Sequence, residues 1–155
     1  MPMPTTQQFC TFFLGKQFFG VPVDQVQEVI RYQEMTRVPL VPKAISGLIN
    51  LRGQIVTAID LRRCLGMPDR KPGELPMNVV VRTSDGAVSL LVDEIGDVLE
   101  LAQDTFEKPP ETLPAAMRAT IRGVYKLPEH LLLELDIVHA VGAAETGNGA
   151  VLART

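Results

Sequence analysis

The chain has 155 residues, 46% of them apolar and 21% charged, with a net charge of −3. That length makes one domain of ordinary size, or two small ones on a shared core, and it needs neither disulfide nor metal to fold. The acidic balance argues against a phosphate-neutralising nucleic-acid surface, six Phe, two Tyr and no Trp argue against a base-stacking platform, and two Cys with two His cannot complete a zinc site by themselves.

Residues 9–14 and 17–23 are apolar runs joined by Gly15-Lys16, a hairpin signature. Pro22 cannot donate to a ladder, so its strand lies at an edge or ends there. Asp24 is expected to cap one helical turn over 24–27, with strand character returning at 28–31. Residues 35–42 hold Pro39 and Pro42 and read as an extended connection. Between 47 and 60 two apolar runs meet at Arg52-Gly53-Gln54, and Asp60 then caps a short helix at 61–65 closed by Gly66. Residues 67–76 are a connector rich in Pro, Gly and charge. Strands are expected at 78–82 and 87–92, around Ser84-Asp85-Gly86, and again at 95–101. Proline breaks 106–116, a strand pair follows at 120–127 and 130–135, and Asp136 heads a last helix to 141. Domain limits of 7–142 follow, with a second unit starting near residue 77 and flexible tails at 1–6 and 143–155. Cys10 and Cys64 read as separate reduced thiols. The start lacks a basic and apolar leader, and no apolar run approaches the ~20 residues of a membrane span, so a cytoplasmic location is expected.

An internal repeat organises this pattern. Residues 23–30 (VDQVQEVI) match 92–99 (VDEIGDVL) in character at every position but one, where Gln27 meets Gly96; the shift, 92 − 23, is 69. Leu51-Arg52-Gly53 reads against Ile121-Arg122-Gly123 at a shift, 122 − 52, of 70, and Asp60 against Asp136 at 136 − 60, or 76. About six extra residues are therefore assigned to the second unit, at 125–130. Short strands with close turn signals and one capped helix per unit point to small β-barrels, with a binding groove where two of them meet.

Catalytic signatures are sparse. No phosphate-cradling glycine loop occurs, and Ser46, Ser84 and Ser89 stand outside any nucleophile motif. Asp60 at a strand end has the placement of a phosphoacceptor, but no acidic cluster accompanies it and Asp136 repeats it, so helix capping explains both. His130 is the other candidate phosphoacceptor. Arg52 stands apart: a guanidinium fork in a glycine turn is placed to bind a carboxylate or carbonyl of a partner, or is simply solvated.

The motif GLINLRGQIVTAIDLRR (47–63), with FFGVPVDQVQEVI (18–30), TRVP (36–39) and VDEIGDVL (92–99), resembles the signature of the CheW family of chemotaxis coupling proteins. The resemblance extends over about residues 7–142 and suggests a stand-alone adaptor rather than part of a kinase. It implies a mainly β fold of two intertwined, five-stranded SH3-like barrels, with no catalysis, cofactor or metal. It also implies two partners, the regulatory domain of the histidine kinase CheA and methyl-accepting chemoreceptor tips, and no nucleic acid or direct membrane contact. By the same resemblance the receptor groove is lined by Val26, Glu28, Thr36, Gly47, Arg52, Ser89 and Ile95.

Overall fold

The computed structural model describes residues 5–146. Among these residues twelve strands form two sheets: β1 (Thr6–Leu14), β2 (Gln17–Pro22), β3 (Val26–Ile30), β4 (Ile45–Leu51), β5 (Gln54–Asp60), β6 (Met77–Thr83), β7 (Gly86–Val92), β8 (Glu94–Ile95), β9 (Leu99–Ala102), β10 (Phe106–Glu107), β11 (Ile121–Lys126) and β12 (Leu131–Leu135). Helices α1 (Leu61–Cys64), α2 (Ala115–Arg118) and α3 (Ile137–Glu145) are short. The smaller sheet runs β3-β6-β7-β5-β4, and the larger runs β10-β11-β12-β2-β1-β8, with β9 also on β1. Both orders are open paths, so the two expected SH3-like barrels are present, each with a seam left open between its end strands. The larger has seven strands because the counterpart of β3 is interrupted into β8 and β9, and because β10 is added.

Each half lends its first hairpin to the other. Strand β5 pairs in parallel with β7, Thr57 opposite Val88, and β12 pairs in parallel with β2, Leu133 opposite Phe19. The register carries the repeat. Val26 faces Val81 and Phe12 faces Ile95, and 95 − 26 and 81 − 12 both give 69. A bulge recurs at Gln27 and Gly96, and another at Ser46 and Arg122.

That second bulge corrects the sequence alignment. Ile121-Arg122-Gly123 is the counterpart of Ile45-Ser46-Gly47 at a shift, 121 − 45, of 76, so Arg122 does not repeat Arg52. The two-residue turn Arg52-Gly53 is matched instead by Pro128-Glu129, where Leu127 N–H reaches the His130 carbonyl at 3.0 Å. The extra residues lie earlier, between β9 and β11, where α2 forms behind Pro114 and buries Met117.

Strict alternation on β6 and β7 explains their apolar runs. Val79, Val81, Leu90 and Val92 face a central cluster shared by both sheets, while Val80 and Leu91 face a second one. Phe9, Phe18, Tyr125 and Leu132 fill a third, inside the larger sheet.

Asp60 accepts the Arg62 N–H at 3.1 Å and Asp136 the His139 N–H at 3.1 Å. Their own N–H groups reach equivalent carbonyls, Ala44 at 2.7 Å and Thr120 at 2.8 Å. Helix α3 passes the expected limit at 142 and buries Ala144, Thr6 belongs to β1, and residues 1–4 and 147–155 of the expected tails lie outside the described residues. Asp24 caps nothing; a 3₁₀ turn (Val23–Gln25) follows Pro22 with no side-chain cap.

Asp93, where β7 gives way to β8, ties the halves together. It accepts the Gly15 N–H at 2.6 Å and a fork from Arg62 at 2.9 and 2.5 Å. Arg70 Nε lies 2.9 Å away, off the hydrogen-bond line, while its Nη1 reaches Asp60 at 3.1 Å and its Nη2 the Leu91 carbonyl at 3.1 Å. Burial pushes the Asp93 carboxyl up, but the Arg62 and Gly15 bonds and the two guanidinium charges outweigh it and leave it below its ordinary value.

A proton lost more readily in the folded state makes Asp93 stabilising above the unfolded carboxyl value of about 3.9, and that contribution vanishes as pH falls through the lower folded value. Urea titrations of Asp93→Asn should show lower stability at pH 7 and a shallower loss below about pH 4 than the parent; equal acid slopes would contradict this role. Asp136→Ala should cost about 1 kcal/mol in the same assay.

Candidate protein-binding site

Five of the seven expected groove residues belong to the open seam of the smaller sheet. Val26 and Glu28 lie on β3, Gly47 on β4, Arg52 in the β4–β5 turn, and Thr36 in the segment that crosses from β3 to β4.

Leu51 pairs with Gln54, leaving Arg52 (φ 51°) and Gly53 (φ 89°) as a two-residue turn with both residues left-handed, as a type I′ turn demands. Asn50 Oδ1 accepts the Gly53 N–H at 2.8 Å. Asn or Gly suits the first turn position; an arginine there carries backbone strain. From this turn Arg52 Nη1 donates to Glu28 Oε1 at 3.1 Å and Nη2 donates to Oε2, fork to fork. The pair spans the two end strands that no backbone ladder joins. Arg52 is 71% exposed at its side chain and Glu28 20%. The Arg52 hydrogen bond holds the Glu28 carboxyl below its usual range despite some desolvation, and the same pair raises the guanidinium.

Thr36 and Leu48 exchange N–H···O bonds of 2.8 Å in each direction, which brings the crossing segment onto β4. A Cβ on Gly47 would fall 2.6 Å from the Thr36 carbonyl oxygen, so the glycine permits this approach.

Ser89 and Ile95 depart from expectation in different ways. Ser89 has 0% exposure and lines no surface; its hydroxyl donates to Asn78 Oδ1 at 2.6 Å, and Asn78 Nδ2 donates to the Arg31 carbonyl at 3.0 Å. Under the 69-residue shift it stands where the other half has Gly20, whose added Cβ would lie 3.0 Å from Leu132 Cδ2. Ile95 sits on β8 in the larger sheet as the counterpart of Val26, and both are half-buried against the shared central cluster.

The two candidate phosphoacceptors differ in setting. Asp60 is buried, capping α1 and held by Arg70. His130 packs edge-on against Phe18, ring centroids 4.5 Å apart. Cys10 and Cys64 are free thiols, and burial pushes Cys64 up to about 12. No helix among the described residues is long and apolar enough to cross a membrane. Sequence reading named Glu28 and Arg52 separately but missed their pairing, and it missed the Asp93 junction; only the register brings these groups together.

Two sheets built by duplicated strand exchange and left open at their end strands, with one ion pair across the seam of the smaller sheet among the described residues, frame this candidate site. Residues 8–145 match the CheW-like domain model. The chain is 31% identical to the chemotaxis protein CheW of Klebsiella aerogenes over 139 residues, 90% of this chain and 84% of that one. It is 30% identical to CheW of Bacillus subtilis, covering 95% and 94%, and 32% identical to Protein PilI of Pseudomonas aeruginosa, covering 74% and 64%. The crystal structure of the scaffolding protein TtCheW from Thermoanaerobacter tengcongensis superposes with a TM-score of 0.75 at 26% identity, over 84% of this chain and 89% of that one. The chain belongs to the CheW-like domain family.

Gly47→Ala should destabilise by about 1–3 kcal/mol, because the Thr36–Leu48 bridge must open to admit a methyl group. Hydrogen exchange should then speed at the Thr36 and Leu48 amides before it does in the central strands β6 and β7; unchanged protection would count against the close-approach argument.

Proposed function

We propose that this protein is a non-catalytic chemotaxis scaffold that couples chemoreceptor cytoplasmic tips to the regulatory domain of the histidine kinase CheA, in the cytoplasm. One observation carries the reading: an exposed arginine, held in a left-handed turn that favours other residues, points its guanidinium across the only side-chain ion pair spanning the seam of the smaller sheet, among the described residues. Strain retained in an exposed turn needs a return in function rather than stability. An exposed pair is screened by salt and opens at small cost, so Arg52 can exchange Glu28 for a carboxylate or carbonyl on an incoming helix while Val26 offers apolar contact. The likeness to CheW proteins of two bacteria and to the scaffolding protein TtCheW supports the same reading. Thr36 and Gly47 shape the floor of this seam, Ile95 lies at the equivalent place in the other sheet, and Ser89 acts from the interior.

Phosphotransfer is not favoured, since Asp60 is committed to a cap and an ion pair, and the side chain of exposed His130 meets only the rings of Phe13 and Phe18 among the described residues. Arg52→Glu should leave the melting temperature close to that of the parent while abolishing co-sedimentation with receptor tip fragments. Undiminished co-sedimentation would overturn the role of Arg52. Incubation with a labelled phosphodonor and phosphorylated kinase should leave the chain unlabelled, and stable label on it would overturn the scaffold reading.

A further inference from the structure

The duplication creates a second seam, and the two seams differ in one chemical respect. The register shift of 69 carries Glu28 onto Asp97 (97 − 28), and the shift of 76 carries Arg52 onto Pro128 (128 − 52). In the smaller sheet the carboxylate on the end strand is neutralised by an arginine from the facing hairpin turn. In the larger sheet that turn is Pro128-Glu129, which has no cation to offer. Asp97 is exposed, and its carboxylate forms no hydrogen bond or ion pair among the described residues.

Between Asp97 and this turn lies a groove of about 470 Å³. Phe13, Phe18, Leu99 and Pro128 supply its apolar walls, Asp97 and Glu129 its charge, and no lysine or arginine lines it. His130, exposed at the rim, lies edge-on against Phe18. Carboxylates set against apolar walls act through less solvent than on a flat surface, so the groove attracts a cation more strongly than either acid alone. The backbone bearing Asp97 is also held in place. Thr11 Oγ1 donates to the Asp97 carbonyl at 2.5 Å, and Gly96 permits that closeness, since a Cβ there would lie 2.5 Å from the same hydroxyl. A site ordered before its ligand arrives spends less of its binding energy on ordering.

We propose that this groove docks a partner protein segment carrying an arginine or lysine beside an aliphatic side chain, the cation meeting Asp97 in trans as Arg52 meets Glu28 in cis. The apolar residue seats on Phe13 and Phe18, and Glu129 adds a second carboxylate for the cation. Charge complementarity selects this occupant over an acidic one. The inference stands apart from what the seam of the smaller sheet binds.

The test is amide chemical-shift mapping of the full chain, labelled with ¹⁵N, against two blocked tetrapeptides, Leu-Arg-Leu-Leu and Leu-Glu-Leu-Leu, up to about 10 mM. The arginine peptide should move the amides of Phe13, Phe18, Asp97, Leu99 and residues 127–130, and the glutamate peptide should not. The double variant Asp97→Asn, Glu129→Gln should weaken the arginine peptide roughly tenfold, as loss of charge-assisted bonds implies; Asp104→Asn, outside the groove, should leave it unchanged. Dispersed spectra for each variant establish that it is folded. Equal shifts from both peptides, no shifts at all, or an unaffected double variant would overturn the proposal. Concentration-dependent shifts of the same amides without peptide would overturn it in favour of a second copy as the occupant.

Discussion

The structure depends on the parallel pairing of β5 with β7 and of β12 with β2. Each pairing joins strands from different halves, so neither half of the chain can complete a sheet from its own residues. The central cluster follows from this, drawing Phe12 and Phe19 from one end of the sequence and Leu133, Leu135 and Ile137 from the other. Because parallel neighbours need a long crossover, the connections between paired elements carry the helices and the crossing segments. Burial of the exchanged strands on both faces then makes the two sheets one cooperative unit, with Asp93 adding an ionic tie where the halves meet.

The same exchange leaves each sheet open at its ends, and both proposed recognition surfaces lie there. In the smaller sheet the opening is spanned by Glu28 and Arg52 and floored by the close contact at Gly47. In the larger sheet it is an aromatic groove with acids at its rim. One geometry has been furnished twice with different chemistry.

Much of this was legible in the residues. Gly15-Lys16, Arg52-Gly53 and Ser84-Asp85-Gly86 mark three hairpins because tight turns demand glycine or short polar side chains. Asp60 and Asp136 announce two helices because orphan N–H groups need an acceptor. The shift of 69 was visible in VDQVQEVI and VDEIGDVL because both segments hold the same bulged place beside an exchanged hairpin. By contrast, the likeness of Leu-Arg-Gly to Ile-Arg-Gly misled, since it equated a hairpin turn with a bulged strand start. Only pairing registers distinguish those settings. Ser89 was misplaced for a related reason: a lone serine in an apolar run gives no sign of whether its hydroxyl meets solvent or a buried Asn78.

Local chemistry therefore determined most of the strands, the caps at Asp60 and Asp136 and the hairpin turns, for each is governed by residues near one another in the chain, and likeness between two such stretches showed the duplication. Family likeness in the 47–63 motif added the class of protein. Which hairpin joins which sheet, where the added residues of the second half lie, and that Glu28 meets Arg52 while Asp97 meets no cation among the described residues were decided by tertiary structure alone. Those outcomes rest on contacts between distant segments, and their registers are selected by burying apolar side chains together, a quantity that no single stretch of sequence contains.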